Sequence, residues 1–307
     1  MKILVTGGAG FIGSHIVEHF HQQAEVRVLD NLRSGFERNL ARLKHRFIKA
    51  SILDRRAVRR AMKGVDFVFH LAAMVSVHES MSKPIECNAI NTAGTLVVLE
   101  EAVRAKVKKI VFSSSAAVYG DNPLFPKVET MLPEPKSPYA ITKLEGEYYC
   151  RMFSEEIRLP AVCLRYFNVF GPRQNLRSQY AAAVPIFIDS ALKNETLIVH
   201  GDGKQTRDFV FVKDVVAANV FFAAESKATG VFNVACGKHI TINELAKSVC
   251  RLTGSRAKIR HIAKRPGDVR HSLASIAKLR RAGFFPEENL EDGLRKTISF
   301  FKGNAYC

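Results

Sequence analysis

The chain has 307 residues, of which 47% are hydrophobic and 24% are charged, so it is long enough to bury one large core or one larger and one smaller domain. No run of eighteen consecutive apolar residues occurs, which argues against a membrane-spanning helix. The strand-like run Ile3-Leu4-Val5 follows the first two residues at once, a pattern unlike that of a signal peptide. We therefore expect no membrane partner.

The formal net charge is +17, and basic residues are concentrated in residues 38–63 and 251–281. Such a charge is compatible with nucleic-acid binding, with attraction of an anionic substrate, or with a solvated surface. The sequence has no basic strand interleaved with aromatic residues, no helix-turn-helix pattern and no zinc-finger pattern. We expect no nucleic-acid partner, and a nucleic-acid binder stays the alternative from a different class of protein.

Six cysteines are dispersed along the chain, without a Cys-x-x-Cys pair or clustered histidines. This spacing fits neither a zinc site nor a dense disulfide framework. We therefore predict reduced thiols, a cytoplasmic location and no bound metal.

Strand-like and helix-like segments alternate through the first two-thirds of the chain. The strand-like runs are residues 3–5, 26–29, 47–48, 67–71, 110–112 and 162–164. Amphipathic stretches between them include residues 11–20, 55–62, 95–105 and 140–153. This alternation predicts an α/β fold, namely a doubly wound parallel Rossmann sheet with helices on both faces.

After about residue 170 the elements become shorter and are separated by glycine-containing turns. This change predicts a smaller C-terminal α/β portion that returns to the sheet rather than an independent unit. We place the Rossmann domain at residues 1–170, with residues 207–234 returning to it. The smaller C-terminal domain is expected mainly within residues 171–307.

A glycine-rich turn follows the first strand-like run. Gly7, Gly10 and Gly13 are spaced by three residues and lead into the first amphipathic stretch. Glycine permits a tight turn, close approach of the backbone to a pyrophosphate, and close packing of helix on strand. The helix N-terminus then directs free N–H groups and its positive dipole end at the phosphates. Strand, glycine turn and helix together predict a dinucleotide site.

Asp30 ends the second strand-like run. A carboxylate at this place accepts hydrogen bonds from the adenine-ribose hydroxyls and repels a 2′-phosphate, which favours NAD over NADP. Two alternatives stay open from the sequence. Asp30 could instead cap a turn, and nearby Arg33 could receive a 2′-phosphate.

Tyr139 and Lys143 lie four residues apart, just after Ser137-Pro138, which is typical of a helix start. Their side chains therefore share one helix face. An ammonium near the phenol, together with a positive nicotinamide ring, is expected to lower the pKa of Tyr139. Tyr139 could then take a hydroxyl proton while hydride leaves the same carbon for NAD⁺. The alternative is a surface tyrosine and lysine, since this spacing also arises by chance.

The serine run Ser113-Ser114-Ser115 follows the strand-like run at residues 110–112. Open α/β sheets bind their ligands at the carboxyl ends of the strands. A serine hydroxyl at this place can hydrogen-bond the oxygen whose proton Tyr139 removes.

With these motifs, the chain resembles the extended short-chain dehydrogenase/reductase family, and within it the UDP-hexose 4-epimerases. The resemblance covers nearly the whole chain. It also rests on His70-Leu71-Ala72-Ala73, Asn91-x-x-Gly94-Thr95, Arg165-Tyr166-Phe167-Asn168-Val169-Phe170-Gly171-Pro172, Arg207-Asp208-Phe209 and Arg265-Pro266-Gly267-Asp268. The resemblance implies that Ser115, Tyr139 and Lys143 are the catalytic residues, with Ser114 in support.

The resemblance also implies which residues bind the cofactor and the substrate. For NAD they are Gly7, Gly10, Phe11, Ile12, Gly13, Asp30, Asn31, Ser34, Gly35, Ser51, Ile52, Leu71, Ala72, Ala73, Asn91, Ser113, Tyr139, Lys143 and Tyr166. For the UDP-sugar they are Ser114, Ser115, Tyr139, Asn168, Val199, Arg207, Arg265, Asp268 and Ser272. The resemblance thus implies that residues 171–307 form mainly the substrate-binding domain.

Several of these implied roles are specific. Asn168 would meet the diphosphate, and Arg207 and Arg265 would clamp it, because guanidinium forks suit phosphate oxygens. Asp268 would bond the uridine ribose hydroxyls. Asn91 would mainly order the loop and helix start near the site.

The sequence departs from the family pattern at two places. Many relatives carry an aspartate against the adenine amino group, where this chain has Ser51. The stretch Asn175-Leu176-Arg177 lacks an expected proline, so the loop over the substrate is expected to differ.

The residues after Ser115 bear on the choice of reaction. In 4,6-dehydratases and UDP-glucuronate decarboxylases, an acidic residue usually follows the catalytic serine or threonine, whereas this chain has Ala116 and Ala117. Epimerisation needs no such acid, because the 4-keto sugar turns over and hydride returns to its other face. We predict a UDP-hexose 4-epimerase. The alternatives are a UDP-glucuronate 4-epimerase and a non-catalytic NAD-binding sensor.

The resemblance further places Ser272 beside the hexose C2 substituent, where a small residue leaves room for an N-acetyl group. We therefore hypothesise that UDP-N-acetylglucosamine is accepted as well as UDP-glucose. Relatives pair through two helices, which match residues 91–105 and 139–157 here. A homodimer is expected.

Overall fold

The computed structural model describes residues 1–175, 182–264 and 270–303. The strands are β1 (Lys2–Thr6), β2 (Glu25–Asp30), β3 (Arg46–Lys49), β4 (Phe67–His70), β5 (Lys109–Ser115), β6 (Ala161–Tyr166), β7 (Asn168–Phe170), β8 (Leu197–His200), β9 (Thr206–Arg207), β10 (Phe209–Phe211), β11 (Gly230–Val234), β12 (Ile240–Thr241) and β13 (Ile259–Ile262).

The α-helices are α1 (Phe11–Phe20), α2 (Arg55–Met62), α3 (Val77–Ser82), α4 (Pro84–Asn88), α5 (Gly94–Arg104), α6 (Pro138–Glu155), α7 (Ala183–Leu192), α8 (Val212–Val220), α9 (Ile242–Thr253), α10 (Ala277–Arg281) and α11 (Leu290–Gly303). A π-helical turn, Ala89–Ala93, leads directly into α5.

Among the described residues, seven parallel strands form the central sheet in the order β11-β6-β5-β4-β1-β2-β3. The prediction of a doubly wound parallel sheet is confirmed. The strand order reverses between β1 and β4, so a crevice opens where these two strands end.

The two faces of the sheet bury separate apolar clusters. On β1, Ile3 and Val5 belong to one cluster and Leu4 to the other, because successive side chains of a strand point to opposite faces. Residues of α1 and α8 cover the first face, and residues of α2 and α5 cover the second. Burial on both faces explains why these strands are continuously apolar rather than alternating.

A third apolar cluster is drawn from residues 170–301 and includes side chains of α7, α9 and α11. In the described part of the chain, three two-stranded pairings lie outside the central sheet: β10 with β7, β12 with β9, and β13 with β8. Strand β11, by contrast, lies at one edge of the central sheet beside β6. The domain boundary near residue 171 stays a prediction.

Within the described ranges, no helix is long and apolar enough to cross a membrane. The cysteines in these ranges are free thiols, namely Cys87, Cys150, Cys163, Cys236 and Cys250. Cys307 lies outside the described residues.

Candidate active site

The loops that follow β1 and β4 come together at the reversal of the strand order. Gly7 has a φ of +70°, and a Cβ at this position would lie 2.7 Å from the amide nitrogen of Ala72. Both the backbone conformation and the close approach require glycine here. Gly10 is the N-cap residue of α1, so the first free N–H groups of that helix face the end of the sheet.

A cavity of about 500 Å³ opens at this place. Its wall includes the glycine turn, the end of β2, the end of β5 and the first turns of α6. It is lined by every residue predicted to contact NAD except Asn91, that is by Gly7, Gly10, Phe11, Ile12, Gly13, Asp30, Asn31, Ser34, Gly35, Ser51, Ile52, Leu71, Ala72, Ala73, Ser113, Tyr139, Lys143 and Tyr166. The glycine cradle and this wall fit a dinucleotide.

Asp30 is buried on the cavity wall, and its two carboxylate oxygens accept hydrogen bonds from the backbone of Ala9 (3.0 Å) and Leu32 (2.8 Å). The turn-cap interpretation is therefore part of its role. A carboxylate has about four acceptor sites, so capacity for ribose hydroxyls is left. Burial raises the pKa of Asp30, and the two backbone hydrogen bonds oppose that shift.

Arg33 also lines the cavity, but its guanidinium is held by two carboxylates. It donates to Glu79 at 2.7 Å and to Glu86. Two carboxylates around one guanidinium disfavour a 2′-phosphate at this place. The structure thus supports the preference for NAD over NADP.

Asp30→Asn is expected to raise the Kd for NAD by about tenfold or more, because an amide nitrogen replaces an oxygen that accepts charge-assisted hydrogen bonds. The ratio of the Kd for NADP to the Kd for NAD should decrease in the same variant. Isothermal titration with both dinucleotides measures the two effects. Arg33→Ala is the control and should change the Kd for NAD less than about twofold; an unchanged NAD affinity in Asp30→Asn would contradict the assignment.

The predicted catalytic residues come together on the same wall. Ser115 ends β5, and Tyr139 and Lys143 project from the first turns of α6, whose N-cap is Ser137 as predicted. The hydroxyl of Ser115 is hydrogen-bonded to Tyr139 and also accepts a bond from the backbone of Ala117 at 3.1 Å. The surface interpretation of Tyr139 and Lys143 is wrong for the described structure.

The protein's own groups do not lower the pKa of Tyr139, so that part of the prediction is wrong. Burial raises the pKa of Tyr139, although the hydrogen bond with Ser115 opposes this. The ammonium of Lys143 lies 5.8 Å from the centroid of the tyrosine ring and donates to the carbonyl of Ser113 at 2.7 Å. The contribution of a positive nicotinamide ring, part of the same prediction, stays a prediction.

Three residues predicted to contact a ligand are also engaged within the protein. Ser114 lines the cavity as predicted, but it is mostly buried and its hydroxyl donates to the carboxylate of Glu147. Asn91 lies behind the cavity wall, where its side-chain oxygen accepts from the backbone of Met74 (2.7 Å) and thus orders that loop. Val199 is fully buried in the third cluster, because alternate residues of β8 face that core, so its side chain is withheld from a ligand.

On the expected substrate side, Asn168, Arg207 and Ser272 lie close to one another but outside the cavity. The backbone carbonyl of Thr206 accepts from the guanidinium of Arg207 (2.8 Å) and from the amide of Ser272 (3.1 Å). The side-chain amide of Asn168 donates to the carbonyl of Asp208 at 3.1 Å. Arg265 and Asp268 lie outside the described residues.

One described residue from each of the two departures from the family pattern lines the cavity. Ser51 lines the cavity, and its hydroxyl accepts a hydrogen bond from the backbone of Leu53 at 3.2 Å, which leaves its proton available to a ligand. Asn175 also lines the cavity, whereas Leu176 and Arg177 lie outside the described residues.

Asp208 was not predicted as a site residue, but its buried carboxylate connects three segments of the chain. Its side chain accepts from the backbone of Cys236 (3.0 Å), Gly237 (3.0 Å) and Ala274 (3.3 Å). It therefore joins the start of β10 to the segments after β11 and before α10. Burial raises its pKa to about 6 despite these three bonds. Its place next to Arg207 in the Arg-Asp-Phe motif was the available signal.

Arg173 and Gln174 also line the cavity and were not predicted as contacts. Arg173 has a φ of +66° and donates to Glu18 of α1 at 2.6 Å, which fixes this loop beside the helix that begins at the glycine turn. The motif Gly171-Pro172 drew attention to the loop but not to the direction of these side chains.

Comparison with known proteins gives the class to which this fold and site belong. Residues 3–235 match the model of the "NAD dependent epimerase/dehydratase family". The chain belongs to this family, and the resemblance found in the sequence is confirmed.

Among solved structures, the chain is similar to a UDP-N-acetylglucosamine 4-epimerase from Methanobrevibacter ruminantium in complex with UDP-N-acetylmuramic acid, with 42% identity, 98% of both chains covered and a TM-score of 0.95. It is similar to a UDP-glucose 4-epimerase from Thermotoga maritima with UDP-glucose, with 40% identity, 99% of both chains covered and a TM-score of 0.94. A UDP-glucose 4-epimerase from Thermus thermophilus in complex with NAD is 36% identical, with 99% of both chains covered and a TM-score of 0.90.

Proposed function

We propose that this protein is an NAD-dependent 4-epimerase of UDP-hexoses that interconverts the C4 epimers of UDP-N-acetylglucosamine, of UDP-glucose, or of both. The observation that carries the proposal is the site at the end of β5 and the start of α6. Ser115, Tyr139 and Lys143 lie together on the wall of the cofactor cavity, and the next two residues, Ala116 and Ala117, carry no acid. Such a site can oxidise C4 but offers no acid for elimination at these positions.

The residues present have separable tasks. Bound NAD supplies a hydride acceptor, and afterwards a hydride donor, at C4 of the sugar. Tyr139 would act as the phenolate, a form that the Lys143 ammonium and a positive nicotinamide ring would favour; it removes the proton of the C4 hydroxyl and later returns it. Ser115 hydrogen-bonds that oxygen, and Lys143 also anchors the end of β5. Asp30 and the glycine turn hold the dinucleotide. Turning of the keto sugar in the site then exposes its other face.

The experiment is incubation of the purified protein with UDP-N-acetylglucosamine, UDP-glucose and UDP-glucuronate separately, with NAD⁺ present, followed by proton NMR of the products. The C4 epimer of at least one of the first two is expected. Epimerisation of UDP-glucuronate alone would support the uronic-acid alternative. NAD binding without any epimer would support the sensor alternative.

Ser272→Tyr is expected to lower kcat/KM for UDP-N-acetylglucosamine by at least about tenfold, because the larger side chain would fill the space proposed for the N-acetyl group. The value for UDP-glucose should change less than about threefold, and this substrate serves as the internal control. Initial rates with both substrates measure the effect. Equal rates of parent and variant on the N-acetylated sugar would sink the proposal for Ser272.

We further propose that the protein is a homodimer whose interface is formed by α5 and α6. Exposed apolar side chains follow one another along α6, namely Ile141 (44% exposed), Tyr148 (50%) and Met152 (39%). Val103 of α5 is 36% exposed. A second copy would remove this surface from water.

Light scattering should give twice the monomer mass; the mass of one chain at working concentration would refute the dimer. The cytoplasmic location stays a prediction.

A further inference from the structure

Three consecutive residues at the end of β5 are each bonded to one of three residues spaced by four along α6. The carbonyl of Ser113 accepts from Lys143 at 2.7 Å. The hydroxyl of Ser114 donates to Glu147, and the hydroxyl of Ser115 is hydrogen-bonded to Tyr139. Since residues four apart share a helix face, strand and helix are joined at three successive points. Along the strand, the bonds at Ser113 and Ser115 hold Lys143 and Tyr139, which carry the proposed chemistry. The bond between them, at Ser114, holds Glu147.

The carboxylate of Glu147 is buried, with 3% of the residue exposed, and both of its oxygens are engaged. One accepts from Ser114 and from Nε of Arg165 (2.8 Å), and the other accepts from Nη2 of Arg165 (2.7 Å). Arg165 lies on β6 directly opposite Ser114 in the strand register. Glu147 therefore binds α6 to two neighbouring strands at the height of the active site.

A buried ion pair is a poor device for stability alone, because apolar residues of similar volume would fill the space without the cost of removing two charges from water. The pair instead gives a fixed geometry, since a guanidinium fork and a carboxylate meet in one orientation. Reacting groups must be held closely, and a displacement of about 1 Å can cost about 10²-fold in rate. The place of the pair, directly behind Ser115 and Lys143, matches this requirement.

We propose that Glu147 is a positioning residue of the reaction, which fixes the end of β5 against α6 and thereby sets Ser115, Tyr139 and Lys143 relative to one another. This inference rests on the proposed function for its effect on rate. It also has a consequence for cofactor binding that needs no sugar.

That consequence comes from the charge of Lys143. Burial lowers the pKa of Lys143 to about 8, and Glu147 is among the groups that oppose this lowering. The other titratable groups that act on Lys143 or face it are Tyr139 and Cys150 from α6, Cys87 from α4, Cys163 from β6 and His70 from β4. Lys143 is a charged ammonium at pH values below its pKa and loses this charge above it. If the charge supports NAD binding, NAD affinity will fall as the pH rises through about 8. Without the carboxylate, this fall should occur at lower pH.

The test is Glu147→Gln, studied by titration of NAD binding between pH 6 and about 9.5 and by epimerisation rates. The fall of NAD affinity should shift by about 0.5–1 pH unit to lower pH. The kcat should decrease about 10²-fold, while KM for the sugar changes less than about threefold. Glu155→Gln, an exposed position of the same helix, is the control and should leave both measurements unchanged.

The single variant leaves the charge of Arg165 buried without its partner, so a double variant, Glu147→Gln with Arg165→Gln, separates positioning from stability. Its Tm should exceed that of Glu147→Gln, while kcat stays low. Recovery of kcat together with Tm would overturn the inference, and so would a pH profile of NAD binding that coincides with the parent's. If the parent epimerises no sugar, the proposed function fails, and the NAD titration still decides the role of Glu147.

Discussion

Tyr139→Phe is expected to lower kcat for epimerisation by about 10³-fold, because the variant keeps the ring but loses the phenol oxygen that is proposed to exchange a proton with the C4 hydroxyl. The Kd for NAD should rise less than about fivefold, since one lost hydrogen bond contributes about 1 kcal/mol. Product formation followed by proton NMR and NAD titration measure the two quantities on the same sample.

Tyr149→Phe is the matched control, because it makes the same chemical change on α6 at a side chain that packs against the second apolar cluster, outside the cavity. It should retain the parent rate. A Tyr139→Phe enzyme that keeps more than a tenth of the parent kcat would show that another group moves the proton.

Of the two glycine substitutions in the turn, Gly13→Ala should reduce the free energy of unfolding the more, and it should also weaken NAD binding. A Cβ at residue 13 would lie 2.2 Å from the carbonyl oxygen of Gly7 and 2.8 Å from Cα of Gly8, so the backbone of the turn must move. We expect a loss of about 2–3 kcal/mol in the free energy of unfolding. For a chain of this size that corresponds to a decrease of about 5 °C in Tm, with NAD binding weakened because the turn is displaced.

Gly10→Ala provides the comparison within the same turn. The backbone at Gly10 has a φ of −76°, and within 4 Å a Cβ there would meet the carbonyl oxygen of Gly7, at 3.1 Å. The free energy of unfolding should therefore change by less than about 1 kcal/mol. The added methyl group lies on the cavity wall, so NAD affinity should still decrease about tenfold. Equal Tm values for parent and Gly13→Ala would contradict the packing argument.

The parallel sheet and the residues that line the cofactor cavity could be predicted from the sequence, because local physical signals mark them. Two helices, Phe11–Phe20 and Arg55–Met62, have the predicted bounds, because a glycine turn precedes one and Asp54 caps the other. Strand β5 is longer than the apolar run at residues 110–112, since its end consists of serines, which an apolar pattern does not count.

The direction of individual side chains was harder to predict. Three successive serines are chemically identical in sequence, and it is the pleat of the strand that turns Ser114 toward Glu147 and leaves Ser115 for Tyr139. Val199 could not be separated from a binding residue, because β8 is too short for its alternation to be recognised. Glu147 could have been found, since its spacing of four from Lys143 continues the helix face that carries Tyr139.

The most direct test of the central claim uses a UDP-sugar substrate that carries deuterium at C4, incubated in ordinary water with the enzyme and NAD⁺. If the hydrogen leaves C4 as hydride and returns to the opposite face within the same site, the C4 epimer will retain the deuterium, and no reduced cofactor will accumulate. Loss of deuterium to the solvent, or steady accumulation of reduced cofactor with a keto sugar as the product, would contradict the proposed epimerase.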